Sequence, residues 1–483
     1  MAGERHRQGG QMDQDWVSMV AAAHARSARA VVTHEQKWSG PQLLSHASAA
    51  ARWMAGWGLP SGRPVPALVD AGPEALALVL AGAAVRRPMA PLDPQLPPSE
   101  LAQCVERLDA PCIVAQPRFA DLARQAAREL GREVAVLARL PCPGEPLPVP
   151  APDDTAVVLH TSGTAGHPRA VCYRHDRLVR RARLSAALQQ LRPGSVFATA
   201  APFHHIAGLG SIMVALAAGA TAVPVERFSV YAWRDLETLR VTHALLTPIM
   251  VETLLRRGAL PLRTLRIMQY GVSPIHPDTL RTAMTRLPGV GFLSLYGQTE
   301  GSPITWLSPA DHQLATWRDE LLQSAGRPVP GAEVRIWRPD RAGVGEVMAR
   351  ADHLAAAGPD GWLRTGDLGW LDEDGYLYLV GRRRDVITRG SQHIYPLEVE
   401  KLLVEHPQVA DAAVVSVPDS QLGQAVKAFV VAADPADPPT GEELTAFART
   451  ALSAFKVPAR WQVVPSLPRT GTGKLLRRAL VRG

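Results

Sequence analysis

Residues 155–170 read TAVVLHTSGTAGHPRA, an apolar run of strand length that passes without a spacer into glycine and small hydroxyl residues. The run is short and rich in β-branched residues, which favours a buried parallel strand. The same junction recurs: SVFATA (195–200) enters APFHHIAGLG, LRIMQY (265–270) enters GVSP, and VGFLSL (290–295) enters YGQTEGSP. Around these lie further candidate strands, PVPALV (64–69), CIVAQ (112–116), EVAVLA (133–138), ATAVPV (220–225) and HALLT (243–247), alternating with helical patterns such as PEALALVLAGAAV and PDTLRTAMTRL. Such alternation from about Pro64 to Leu295 predicts βα units and mainly parallel sheets, the α/β class. In open α/β sheets ligands sit beyond the carboxyl ends of the strands, so the four loops are expected to converge on one cleft.

After Gly326 the pattern changes to short β segments, AEVRIW, GEVMA, WLRTGDLGW and GYLYLV, ending in Gly381-Arg382-Arg383-Arg384-Asp385. The remaining hundred or so residues hold a helix over Leu397–Val404, the strands AAVVSV and KAFVVA, and a second helix over Glu442–Phe455, enough for a separate small α+β domain. ADPADPPTG (433–441) and PCPGEPLPVPAP (141–152) are expected as loops within the two domains. No internal repeat interrupts this plan.

With 483 residues, 46% apolar and 20% charged, the chain calls for two or three globular cores and excludes a single small binding module. The longest apolar run, Ala75–Val85, is too short for a membrane span. The first 15 residues are polar, expected to be disordered, and lack the apolar core of an export signal, so a cytoplasmic protein is expected. The four cysteines form no CxxC pair and the 15 histidines no HExxH, so neither a zinc site nor a disulfide framework is proposed. A net charge of +7, spread along the chain without a DNA-binding pattern, suits a small anion such as a nucleotide better than nucleic acid. Of the 52 basic residues only Lys37, Lys401, Lys427, Lys456 and Lys474 are lysine. A lysine inside a glycine-rich motif is therefore pointed.

Four segments carry chemistry. In HTSGTAGHPRA (160–170), backbone N–H groups and hydroxyls can approach phosphate oxygens closely, though the segment lacks the Walker A pattern and taken alone also fits a flexible loop. LYGQTEGSP (295–303) offers an aromatic ring for a base, a threonine for a phosphate and a glutamate for Mg²⁺. GWLRTGDLGWLDEDGYLYLVGR (361–382) adds an aspartate in a tight TGD turn, suited to ribose hydroxyls, and an arginine that could assist it. PRTGTGKL (468–475) places Lys474 behind two glycines, where a flexible loop can bring a point charge to a phosphate oxyanion.

In this order the four segments resemble those of the adenylate-forming superfamily of acyl-CoA synthetases, peptide-synthetase adenylation domains and luciferases, from about Trp16 to the end. The resemblance implies an N-terminal domain over 16–381, a hinge at 382–385 and a mobile C-terminal domain over 386–483. It implies that ATP and a small-molecule acid form an acyl-adenylate, which a thiol then attacks. Thr161, Ser162, Gly163, Thr164, Gly166 and Arg169 would hold phosphate. Gly271, Val272 and Ser273 would border adenine and the acyl group. Tyr296 and Gly297 would flank adenine, Thr299 would touch the α-phosphate, and Glu300 would coordinate Mg²⁺. Asp367, with Arg382, would bind ribose, and Lys474 would bridge carboxylate and α-phosphate. His205, Ile206, Gly208, Met250, Gly271, Val272 and Ile304 would form the acyl pocket, with a packed role for His205 equally open.

Three positions depart from the superfamily pattern. Arg169 stands for the usual lysine, Arg384 for the usual hinge Asp or Lys, and Gly390-Ser391-Gln392-His393 for the usual Gly-Gly-x-Asn of the thiol tunnel. Coenzyme A is the leading acceptor. A carrier-protein phosphopantetheine, an amine attacking an unusual activated oxyanion such as nitrite, and a pseudoenzyme that binds nucleotide without chemistry are the alternatives.

Overall fold

The computed structural model describes residues 15–56, 60–137, 146–161, 169–390, 392–470 and 473–481. These form two compact units, one comprising the chain to Leu322 with residues 329–332 and 350–363, the other residues 323–328, 333–349 and 364–483.

Two mainly parallel sheets build the first unit. One has six strands in the order Glu133–Val136, Cys112–Ala115, Val65–Leu68, Met89–Pro91, Thr155–Thr161 and Arg169–Arg174, antiparallel only at the last pair. The part of the other, nine-stranded sheet that belongs to this unit runs Gly301–Leu307, Gly291–Gln298, Ile267–Tyr270, His243–Leu246, Val196–Thr199, Thr221–Pro224, Val31–Val32 and Lys37–Trp38, parallel except in the first and last of these pairs. The interior strands are buried on both faces, which is why they read as continuous apolar runs. One core joins the sheets through helices: Val65, Val157 and Leu159 from one sheet and Val31 and Ala222 from the other belong to the same cluster as Leu43, Leu76, Leu178 and Ile212.

Helix Pro73–Ala84 is buried at every residue but Glu74, and it accounts for the apolar run Ala75–Val85. A helix apolar all round belongs in the middle of a core. Among the described residues, no helix is long and apolar enough to cross a membrane.

The second unit carries most of a four-stranded sheet in the order Glu333–Trp337, Gly345–Arg350, Leu363–Leu371, Leu377–Arg382. There follow a hairpin, Ile387–Arg389 with Gln392–Ile394, and a three-stranded sheet of Val409–Asp419, Gly423–Ala432 and Arg460–Val463. Helices Pro396–Leu403 and Gly441–Ala451 cover that sheet, burying Val399, Leu403 and Leu444 against Val414, Val426 and Val430. The second helix stops four residues short of the expected Phe455. Leu452 turns to an extended conformation, and Leu452 and Phe455 fold back onto this core.

Three local expectations are corrected. The TGD segment is no turn: Thr365, Gly366 and Asp367 lie inside strand Leu363–Leu371, where Gly366 takes a φ of 71° that favours glycine. YGQTEGSP is no open loop, because strand Gly291–Gln298 continues through Tyr296 and returns at once as Gly301–Leu307, leaving Thr299 and Glu300 as a hairpin tip. Cross-strand pairing extends the strand where sequence alone shows only turn-forming residues. RAVCYR (169–174), not anticipated as a strand, pairs antiparallel with 155–161 and buries alternate residues Val171 and Tyr173.

Candidate active site

Thr161, Gly271 and Tyr296 lie at or just beyond the carboxyl ends of strands in the first unit's two sheets. Thr161 closes its strand opposite Arg169, so the hairpin register fixes both edges of the phosphate segment. Ser162, Gly163, Thr164 and Gly166 lie outside the described residues. Gly271 and Val272 follow strand Ile267–Tyr270 with φ of 147° and 73°. For a β-branched residue the second value is strained. At Gly271 an added Cβ would make only ordinary contacts with the described residues, Leu295 O at 3.7 Å and Ser294 Oγ at 3.9 Å, so its backbone angle rather than crowding favours glycine.

The hairpin tip is held through its backbone. Tyr173 Oη donates to Thr299 O at 2.5 Å, Ala356 N to Glu300 O at 3.0 Å, Arg181 Nε to Ser302 O at 3.0 Å, and His353 Nε2 bonds Pro303 O at 2.6 Å. Tyr173 is fully buried, which pushes its phenol up to about 12 and keeps it a donor. Gly297 is required by packing, because a Cβ would stand 2.7 Å from Gly301 O and 2.8 Å from Ser302 Cβ. By contrast the Glu300 carboxylate is only half-buried and makes no hydrogen bond or ion pair with the described residues. None of the anchors Tyr173, Arg181 and His353 was expected from sequence. The alternation in RAVCYR was the available signal for Tyr173.

Beside the expected acyl segment, His205 precedes a short π-helical turn, Ile206–Gly210. Its ring lies 4.5 Å from that of His204, and His204 Nε2 is 3.5 Å from Asp93 Oδ2. Burial pushes His204 and His160 down to about 4, so both are neutral imidazoles near pH 7. Met250 is buried, Ile304 wholly so within its strand, and Ile206 packs on the main core. Gly208 serves close backbone packing, since a Cβ would strike the carbonyls of Ala201 and Pro202.

In the second unit, strand register sets Asp367 opposite Arg382, whose Nε is 2.9 Å from Asp367 Oδ1. Asp367 is buried, and its N–H bonds Thr365 Oγ1 at 3.1 Å. Lys474, 92 residues beyond Arg382, joins the pair electrostatically: burial first, then Arg382, with Arg384 adding and Asp367 and Asp385 opposing, lowers its amine to about 8. The Lys474 loop is pinned at both ends. Arg469 Nη2 bonds Asp411 at 2.6 Å, and Arg477 Nη2 grips buried Glu400 at 2.6 and 2.5 Å. Glu400 also accepts Val414 N at 2.7 Å, and burial raises its carboxyl despite Arg477. Arg384 Nε lies 3.3 Å from Asp385, and Asp385 lies 3.7 Å from Arg477. Gly390, at φ 61°, turns the hairpin and donates to Leu422 O at 2.9 Å, His393 is exposed, and Ser391 is outside the described residues.

The described chain thus has two units, one presenting loops at the carboxyl ends of parallel strands and one carrying a buried aspartate, an arginine and a lysine of lowered basicity. The chain belongs to the AMP-binding enzyme family, whose profile matches residues 19–357, with the AMP-binding enzyme C-terminal domain over 398–474. It is an adenylate-forming ligase. The chain is 36% identical over 354 residues to a fatty acid–[acyl-carrier-protein] ligase, ScoC, of Streptomyces coeruleorubidus, covering 68% of this chain and 67% of that one. A 2-succinylbenzoate–CoA ligase of Bacillus licheniformis is 30% identical over 474 residues, 93% of this chain and 96% of that one. Among solved structures, the amide bond synthetase McbA of Marinactinospora thermotolerans superposes with a TM-score of 0.86 at 31% identity, over 97% of this chain and 98% of that one.

Proposed function

We propose that this protein uses ATP to convert a carboxylic acid into its acyl-adenylate, releasing pyrophosphate, and passes the acyl group to the thiol of coenzyme A, releasing AMP. The observation that carries this reading is the grouping of Asp367 and Arg382, partners on adjacent strands, with Lys474 from a segment remote in sequence. A carboxylate approaching a polyphosphate is a weak nucleophile meeting like charge, so oriented cations must offset repulsion and stabilise the transition state at phosphorus. Lys474 is the cation assigned to the α-phosphate and the acid. Asp367, with Arg382, takes the ribose hydroxyls, Tyr296 the adenine, and Thr299 with the 161–169 segment the phosphates. No general base is needed, since the acid is ionised at neutral pH.

Magnesium fits the residues present. Glu300 offers a carboxylate without a partner among the described residues, which include no cluster of three or more His, Cys, Asp or Glu that could cage a metal. Glu300 would hold the ion together with phosphate oxygens and water, and the chemistry it would supply is charge neutralisation. Pyrophosphate release, measured over a panel of aliphatic and aryl acids with and without coenzyme A, tests the proposal. Release with no acid in the panel would refute it. The pocket residues are mixed in size and mostly apolar, which favours an aryl or short to medium acyl group. The protein is assigned to the cytoplasm, with no nucleic-acid or membrane partner.

A second reading, an amine acceptor, is favoured by the Gly390-Ser391-Gln392-His393 segment and by the likeness to an amide bond synthetase. Loading of a carrier protein follows from the likeness to ScoC. Mass spectrometry of products formed with coenzyme A, a phosphopantetheinylated carrier or an alkylamine distinguishes thioester from amide. Retention of product formation in Gly390→Trp would count against a tunnel-bound thiol.

A further inference from the structure

Arg181 is a buried arginine, 5% exposed, on helix His175–Leu188. Its Nε donates to Ser302 O at 3.0 Å and its Nη1 to Gly210 O at 2.8 Å. Among the described residues no carboxylate pairs with it. Among the described residues its hydrogen bonds go to these two backbone carbonyls alone, with the neutral phenol of Tyr173 nearby. A buried cation without an anionic partner is expensive to keep, and an apolar side chain of similar volume could fill the space. The two carbonyls belong to different functional segments. Ser302 follows the Thr299–Glu300 tip by two residues, and Gly210 ends the turn that begins after His205. A guanidinium carries its donors in a rigid fork that can span two such groups, which an ammonium cannot reproduce. Gly210 leaves room for it, since a Cβ there would lie 3.3 Å from Arg181 Nη2 and collide with Ile206.

We propose that Arg181 is a positioning residue for the nucleotide site: its fork bolts the Thr299–Glu300 hairpin to the 205–210 segment, and its unpaired charge makes the floor beneath that hairpin favourable to the polyanion. The proposal rests on the assignment of the hairpin to ATP. The bolt sets the hairpin's backbone, while the charge contributes to affinity, so two variants separate the effects. Arg181→Lys keeps the charge and loses the fork; Arg181→Met loses both.

Three measurements on the full chain with ATP–Mg²⁺ alone as probe test it: thermal unfolding, the ATP dissociation constant by calorimetry, and amide hydrogen exchange. Arg181→Lys should bind ATP within about threefold of wild type, and Arg181→Met about tenfold more weakly, a difference of about 1.4 kcal/mol. Both should show faster exchange confined to residues 296–302, and Arg181→Met should unfold at or near the wild-type midpoint because an unpaired buried charge has gone. Should Arg181→Met fail to fold, Arg181→Lys still reads the fork through exchange. Unchanged affinity and hairpin exchange in both variants, or faster exchange spread along helix His175–Leu188 with a lowered midpoint and wild-type affinity, would overturn the proposal. A wild-type chain that binds no ATP would instead refute the underlying site assignment, and this inference with it.

Discussion

Lys474 should give adenylation an alkaline limb inside the working range of the enzyme. A lysine amine ordinarily holds its proton to about pH 10.4. Here burial, reinforced by Arg382, brings it down to about 8. The charged form then falls from about nine tenths at pH 7 to about one tenth at pH 9, by the ordinary titration relation. If the charge acts on the developing phosphate oxyanion, kcat/KM for ATP, which reports the free enzyme, should drop about tenfold across that interval. Bound polyphosphate favours the ammonium, so the limb in kcat should lie at higher pH than the limb in kcat/KM. Arg384→Gln removes a cation that opposes the Lys474 proton and should move the limb upward; Lys474→Arg should abolish it, because guanidinium does not titrate there. The assay is initial-rate pyrophosphate release between pH 6.5 and 10 at saturating acid. A flat profile to pH 9.5, or a limb that moves downward in Arg384→Gln, would refute the reasoning. The same proton has a stability consequence. The unfolded lysine stays protonated to higher pH than the folded one, so this group's contribution to folding improves as pH rises through 8 towards 10.

Glu300→Gln should raise the magnesium concentration for half-maximal pyrophosphate release severalfold, and an unchanged metal titration would argue against a ligand role. Asp367→Ala should weaken ATP binding through loss of charged ribose hydrogen bonds at about 1.5–3 kcal/mol each, checked by calorimetry; it also leaves Arg382 without its 2.9 Å partner. Arg477→Met strands the buried Glu400 carboxylate and should destabilise the chain by about 3–5 kcal/mol in denaturant unfolding, unless the pH is low enough to protonate Glu400. Val272→Gly should relieve the φ of 73° and stabilise by about 1 kcal/mol, while opening the site to bulkier acids; equal stability and an unchanged acid range would count against strain at this position.

The sequence by itself determined the α/β class and its polarity. Runs such as TAVVLH and HALLT read as buried strands because parallel strands are covered on both faces, and the small-residue loops after them marked the carboxyl ends where a site must lie. The four segments also carried the resemblance to the family, through their order and residue types taken jointly. Tertiary structure decided the conformations that depend on cross-strand pairing. Thr299 and Glu300 became a hairpin tip, and Thr365-Gly366-Asp367 became part of a strand, since a pairing partner overrides the turn preference of Gly, Thr and Asp. Only the fold could place Lys474 beside Asp367 and Arg382, or show that a buried arginine from helix His175–Leu188 ties Ser302 to Gly210. No local spacing encodes those meetings. They arise from packing between segments separated by 29 residues for Arg181 and Gly210 and by 121 for Arg181 and Ser302, which a linear reading of propensity and period does not contain.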